Sequence, residues 1–433
     1  MKKLTLFLAM VLALSPLAFA QDESAPDGAT SAVGTEAAKA LSASMMGGLG
    51  ITTIDGKLYY RVQLQPDLGF GKFGVGVDAD LLFNDKGIRK EDWNPASRWV
   101  RIIRYVRYGQ KHDNIYGRVG ALDASTLGHG SLMYRYSNRI DDVERKIGLE
   151  FDLDFGMFGF ESVVSNFGRA EIYGFRGFAC PLANSGIPII KGFEVGGTVV
   201  SDVDPDQDKT TKDGVTAFGA DLGLPIINTS MLGTRIYYDF GKIKDFGKGN
   251  AVGISALVSF PGNAFTLGAK LEQRFLGQRF IPQYFDMFYE VDRYRVMDSI
   301  PVRKSYLLNG VTVARNGTYG EISGNVLGKV RIMGSGYKTQ GADSSGILHI
   351  EATAPDLIPK GDVRAYYDQK KIQSLSDLFA KKENMLMTAD IGYQAYWKLW
   401  VYLTYQITYE KQEDDSYLTR KKFSTRLALK FNF

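Results

Sequence analysis

Runs of about ten residues in which apolar side chains alternate with polar or small ones recur along most of this chain, and that period at that length admits few folds. From Lys146 to Phe155 the odd positions are Ile147, Leu149, Phe151, Leu153 and Phe155, against Lys146, Gly148, Glu150, Asp152 and Asp154. From Leu399 to Glu410, Leu399, Val401, Leu403, Tyr405, Ile407 and Tyr409 face away from Trp400, Tyr402, Thr404, Gln406, Thr408 and Glu410. A soluble sandwich could alternate too, but its strands need only about five or six residues. A tilted strand crossing a bilayer needs roughly 9 to 11. The pattern therefore predicts an all-β protein: a transmembrane antiparallel up-and-down β-barrel with one strand face toward lipid and the other toward a wet lumen.

The last run, Lys422 to Phe433, sets Phe423, Thr425, Leu427, Leu429, Phe431 and Phe433 on one face. It resembles the C-terminal recognition strand of bacterial outer-membrane proteins. That resemblance implies an assembly signal in Leu427, Leu429, Phe431 and Phe433, with the barrel assembly machinery as a partner. It also implies a porin-like superfamily member in the bacterial outer membrane, surrounded by lipid and lipopolysaccharide. Physically, a closed barrel must bring this strand to the first one, because an unpaired edge in lipid leaves backbone groups unsatisfied.

Residues 1–20 read as a secretory signal peptide, with Lys2 and Lys3, the apolar run Leu4 to Leu14, and the cleavage site Ala18-Phe19-Ala20. Residues 21–46 lack strand periodicity and are expected to be a flexible periplasmic segment, with room for a short helix at Thr35 to Met45. Residues 47–433 form the barrel. Aromatic residues make up 12% of the chain and glycines number 48, which suits strands with aromatic belts. The balance of 52 Lys+Arg against 48 Asp+Glu excludes a strongly basic surface and argues against a nucleic-acid partner. One cysteine, Cys180, leaves no intramolecular disulfide.

A pass along the chain yields twenty strands, the first near residues 47–54 and the last near 418–433. The long connections 84–98, 123–144, 276–315 and 372–384 then share one side and the short turns the other. That sorting requires an even number, so the count is 18 to 20.

Charged residues on the inward parity are the pore-lining candidates: Arg61, Asp78, Asp80, Glu150, Asp152, Arg235, Asp239, Lys270, Arg331, Arg364, Asp390 and Arg426. They either tune ion preference or pair across the wall. The connection from Gly277 to Ser305 is long, aromatic and charged. It is expected to fold inward as a constriction loop carrying Tyr284, Phe285, Phe288, Tyr289 and Arg293. Arg98, Arg101, Arg104 and Arg107 cannot share a strand face unless the first turn is helical or bulged. His112, His129 and His349 are scattered without metal-ligand spacing, and no cofactor is implied.

His129-Gly130-Ser131 looks like the His-x-Ser of outer-membrane lipid A deacylases; a glycine-flanked turn is the other reading. Asn94-Pro95-Ala96 matches a short motif of fatty-acid transport barrels but stands in a loop between strands. The reading that follows is a channel for small hydrophilic solutes or ions and not an enzyme. A transporter for a hydrophobic or larger ligand and a structural or secretion-associated barrel are the alternatives.

Overall fold

The computed structural model describes residues 42–54, 57–89, 102–138, 146–169, 171–260, 264–297, 300–327, 329–342, 345–355, 359–374, 385–397, 399–411 and 417–432. The signal segment, most of the N-terminal tail, Asn94 to Ala96, Arg98, Arg101 and Phe433 lie outside these residues.

Strands follow one another round a single antiparallel sheet. The first half comprises β1 (Ser42–Ile54), β2 (Lys57–Phe70), β3 (Phe73–Val77 continued by Ala79–Asn84), β4 (Ile103–Tyr108), β5 (Ile115–Gly120), β6 (Gly148–Asp154), β7 (Phe158–Val164), β8 (Ile172–Ala179), β9 (Glu194–Asp202) and β10 (Val215–Asn228). The second half comprises β11 (Leu232–Ile243), β12 (Lys248–Ser259), β13 (Phe265–Leu276), β14 (Arg315–Val326), β15 (Val330–Thr339), β16 (Gly346–Pro355), β17 (Gly361–Ile372), β18 (Met385–Tyr396), β19 (Leu399–Lys411) and β20 (Tyr417–Asn432). The sheet holds 22 strand segments. Two of these add no new strand to the wall: β3 is interrupted at Asp78, and the two-residue Gly87–Ile88 folds back on its end. Among the described residues twenty strands therefore go round, the even number expected.

β1 pairs with β20 from Ser44↔Asn432 to Leu49↔Leu427, which closes the barrel. The wall has no free edge at this seam, as a span through hydrocarbon requires. Ser42 to Met45 are strand where the sequence suggested a helix, and Met45 sits between Pro66 on β2 and Phe431 on β20. Closure overrides local preference here, because the last residues of β20 would otherwise lack a partner.

Connections sort by parity. At one end lie the short links 71–72, 155–157, 229–231 and 327–329; at the other lie the long ones 121–147 and 277–314. Around the short-turn end, Phe70, Phe73, Phe155, Phe158, Phe260, Tyr396 and Trp397 are exposed. Aromatic rings at that level match a membrane-interface belt. The outer wall is apolar and the inner wall polar: on β13, Leu271 and Phe275 are exposed while Lys270, Glu272 and Arg274 are buried. On β19, Leu403 is 39% exposed and its neighbour Tyr402 4%.

Leu403→Arg is accordingly expected to destabilise the barrel by about 2–4 kcal/mol near the bilayer midplane, while Thr404→Arg is tolerated. Denaturant unfolding in lipid vesicles measures both. The reverse ranking would mean that the register of β19 is off by one residue.

Candidate functional site: two segments folded into the lumen

The connection between β5 and β6 is rich in apolar side chains, Leu122, Leu127, Leu132, Met133 and Tyr136, all buried. On the outside of a barrel these would be an apolar patch in water. Instead the segment crosses the interior. It leaves β5, yet the Tyr134 hydroxyl donates to Glu321 on β14 at 2.5 Å and Arg135 reaches Met333 on β15. β14 stands nine strands from β5 in a barrel of twenty, near the opposite wall. On the way, the Gly128 N–H donates to Glu161 on β7 at 2.7 Å, and Lys270 on β13 donates to the His129 carbonyl at 2.7 Å. Asn138 ties the segment back to its root, accepting from the Leu122 N–H at 2.8 Å and donating to the Ser165 carbonyl at 2.9 Å.

The second segment, 277–314, lies along the first. The Gln283 and Phe285 N–H groups donate to the Ser131 and Leu132 carbonyls at 2.8 and 3.0 Å, and the Tyr134 N–H donates to the Phe285 carbonyl at 3.2 Å. Tyr284, Phe285 and Tyr289 pack on one another with ring centroids 4.7–5.6 Å apart, in one apolar core with Leu132, Met133 and Tyr136. Phe288 stays 41% exposed. The aromatic residues that suggested a constriction are therefore mainly the cement between the two segments.

Arg293 anchors this assembly. Its guanidinium, 3% exposed, meets Glu171, lies 3.0 Å from Asp202 and 3.2 Å from Glu290, and donates to the Asp204 carbonyl at 2.6 Å. Lys146 adds contacts to Glu290 at 2.7 Å and Glu171 at 3.2 Å. Burial opposes ionisation of Glu290, but Lys146 and Arg293 outweigh it and hold the carboxyl below the usual range. Tyr136 and Tyr289 are pushed upward, by burial first and then by Glu290 and Asp202 respectively. Both remain neutral donors, Tyr136 to Glu290 and Tyr289 to Asp202 at 3.0 Å.

The charged candidates fall into two groups. On β6, β11 and β13, Asp152 pairs with Lys111 at 2.8 Å, Glu150 accepts from the Tyr116 hydroxyl at 3.0 Å, Arg235 lies 3.5 Å from Glu194, and Lys270 lies 2.9 Å from Glu272. Asp239 is held by His129 Nδ1 at 2.8 Å and by the Ser131 hydroxyl. A buried node absent from the sequence reading adjoins the Arg235–Glu194 pair: Arg176 binds Asp221 through two bonds of 3.0 and 2.6 Å and Glu194 at 2.6 Å. Away from the segment, register places Arg331, Thr353, Arg364, Asp390 and Thr404 in one row across β15 to β19. Arg364 is exposed and Asp390 half-buried. Arg61 pairs with Asp80 at 2.5 Å with its side chain still 41% exposed, and Asp78 is buried at the break in β3. Arg426 lies opposite Tyr402 in register.

Two motif questions resolve locally. A bulge where β3 meets β4 skips Arg104, so Ile103 and Val106 face outward while Arg104 and Tyr105 both reach Asp67. In His129-Gly130-Ser131 the serine donates to Asp239 and not to the histidine, so no nucleophile–base pair forms. Gly128 and Gly130 have φ of +56° and +86°. A Cβ on Gly128 would come within 2.8 Å of Arg176 Nε, so this stretch is a turn fitted against the wall.

A closed antiparallel barrel with an apolar exterior and a polar, partly filled interior defines a transmembrane-type β-barrel. No family model matches the sequence, and no curated protein is similar to it. Solved structures with which it aligns include Pseudomonas aeruginosa OccK9 (OpdG), at 12% identity over 90% of this chain and 97% of that one, with a TM-score of 0.34. Pseudomonas aeruginosa OccK2 (OpdF) in complex with glucuronate aligns at 12% identity over 90% and 95%, with a TM-score of 0.33. CdiB from Acinetobacter baumannii aligns at 8% over 90% and 60%, with a TM-score of 0.30. The assignment of architecture rests on the strand register and not on these distant likenesses.

Proposed function

We propose that this protein is a channel of the bacterial outer membrane that passes small hydrophilic solutes or ions through a lumen narrowed by the two inward-folded segments. One observation carries the reading: the β5–β6 connection runs across the interior to β13, β14 and β15, where a barrel of this strand number would otherwise leave a wide aqueous channel. In this reading Arg61, Asp80, Arg331, Arg364, Asp390 and Arg426 line the passage. Asp239 and Lys270 hold the crossing segment in place, while Glu150, Asp152 and Arg235 bond to Tyr116, Lys111 and Glu194 on the wall side. Tyr284, Phe285 and Tyr289 fix the second segment on the first and Arg293 ties it to Glu171, Asp202 and Asp204, and together they set the width of the constriction. The case for a hydrophobic ligand weakens, since the rings that suggested it are occupied with one another.

Purified protein in planar bilayers should give discrete conductance steps, and reversal potentials in asymmetric salt should give the sign of selectivity. A silent, ion-tight barrel would sink the reading.

A further inference from the structure

We propose that the connection between β9 and β10 binds a divalent cation of the calcium class through Asp204, Asp206 and Asp213. These carboxylates bring oxygens within 4.8 Å of one another. Their side chains are 11%, 6% and 1% exposed. Proximity of acids alone would mean little, but two further observations point to a missing positive charge.

First, Oδ1 of Asp204 and Oδ1 of Asp213 are buried and accept no hydrogen bond. Their companion oxygens are engaged. Asp204 Oδ2 meets Arg169, while Asp213 Oδ2 accepts from the Asp206 N–H at 3.1 Å and lies 3.4 Å from Arg303. A buried carboxylate oxygen left without a partner is costly, and a cation is one of the few groups that satisfies two at once.

Second, among the described residues the charges in contact with the cluster do not balance. Among the described residues the network comprises six carboxylates, Glu171, Asp202, Asp204, Asp206, Asp213 and Glu290. Four cations face them: Lys146, Arg169, Arg293 and Arg303. The difference is two negative charges, which one divalent ion cancels. The donors are all oxygen and include no histidine or cysteine, which favours a hard cation over zinc or copper. A loop as donor scaffold suits the tolerant geometry of calcium better than the strict octahedron of magnesium.

The consequence reaches the lumen, because the Asp204 carbonyl accepts from Arg293, the anchor of the second segment. The ion would thus brace the outer end of the constriction. Calcium titrated by calorimetry into the folded, detergent-solubilised barrel should show one saturable site, in the roughly 0.1–1 mM class of extracellular modules. Asp206→Asn with Asp213→Asn should weaken it at least about tenfold. Asp208→Asn, exposed and outside the cluster, should leave the affinity within about twofold. Heat-modifiable electrophoretic migration confirms that each variant is folded. If the double variant does not fold, tryptic cleavage of the wild-type barrel at Lys209 and Lys212 decides, and calcium should slow it relative to chelator. Absence of a saturable site, binding that survives the folded double variant, or cleavage indifferent to calcium would overturn the proposal.

Discussion

Replacing residues 124–137 by a short Gly-Ser linker should raise single-channel conductance at least about threefold while leaving the barrel assembled. The stretch carries no wall strand, and its two ends are held near each other by Asn138, which bonds the Leu122 N–H. Removing it clears material that spans from β5 to β15. The wall residues it covers, among them Asp239, Lys270 and Glu161, would then face water, the ordinary condition of a porin interior. Deleting Ile281 to Val296 instead should give a smaller rise, because the first segment keeps its own bonds to the wall. Planar-bilayer recordings of both variants, with heat-modifiable migration as the assembly control, test this order. Unchanged conductance in the first variant would show that the ions take a path the segment does not obstruct.

Arg293→Met should detach the second segment at a cost of about 3–5 kcal/mol, the usual result of removing one partner from a buried ion-pair network. Glu171, Asp202 and Glu290 would remain buried against Lys146 and Arg169 alone. Rapid proteolysis between 277 and 305, together with noisy conductance, is the expected outcome. Retained protease resistance and quiet steps would show that the apolar contacts of Tyr284, Phe285 and Tyr289 suffice. Acid should act in the same direction on the wild type. Because the docked state holds the Glu290 carboxyl below its free value, this contribution is complete above about pH 4.3. It is lost as pH falls through the lowered value. Protease sensitivity of the segment should therefore appear only at acid pH below that point.

Local periodicity carried the wall. An alternation of period two needs only neighbours along one strand, so Leu271 against Lys270, or Leu403 against Tyr402, could be assigned to faces before any partner strand was known. Turn lengths are equally local, which is why the parity of the connections and an even count near twenty were legible. The aromatic content of 277–305 likewise announced burial. The same signal was present in Leu127, Leu132, Met133, Tyr134 and Tyr136, where the glycines around His129 drew attention to the motif instead.

What the sequence by itself determined, then, was the barrel, its faces and its even count. Only the tertiary structure decided what fills the lumen. Tyr134 meets Glu321 across 187 positions of chain, and Arg293 meets Glu171 across 122. No periodicity encodes such pairs: they exist because closure of the wall brings β5 and β14 to opposite sides of one cavity, and the burial of apolar loop residues then selects the segments that enter it. Whether Asp239 or Lys270 lines a passage or fastens a segment depends on that selection alone.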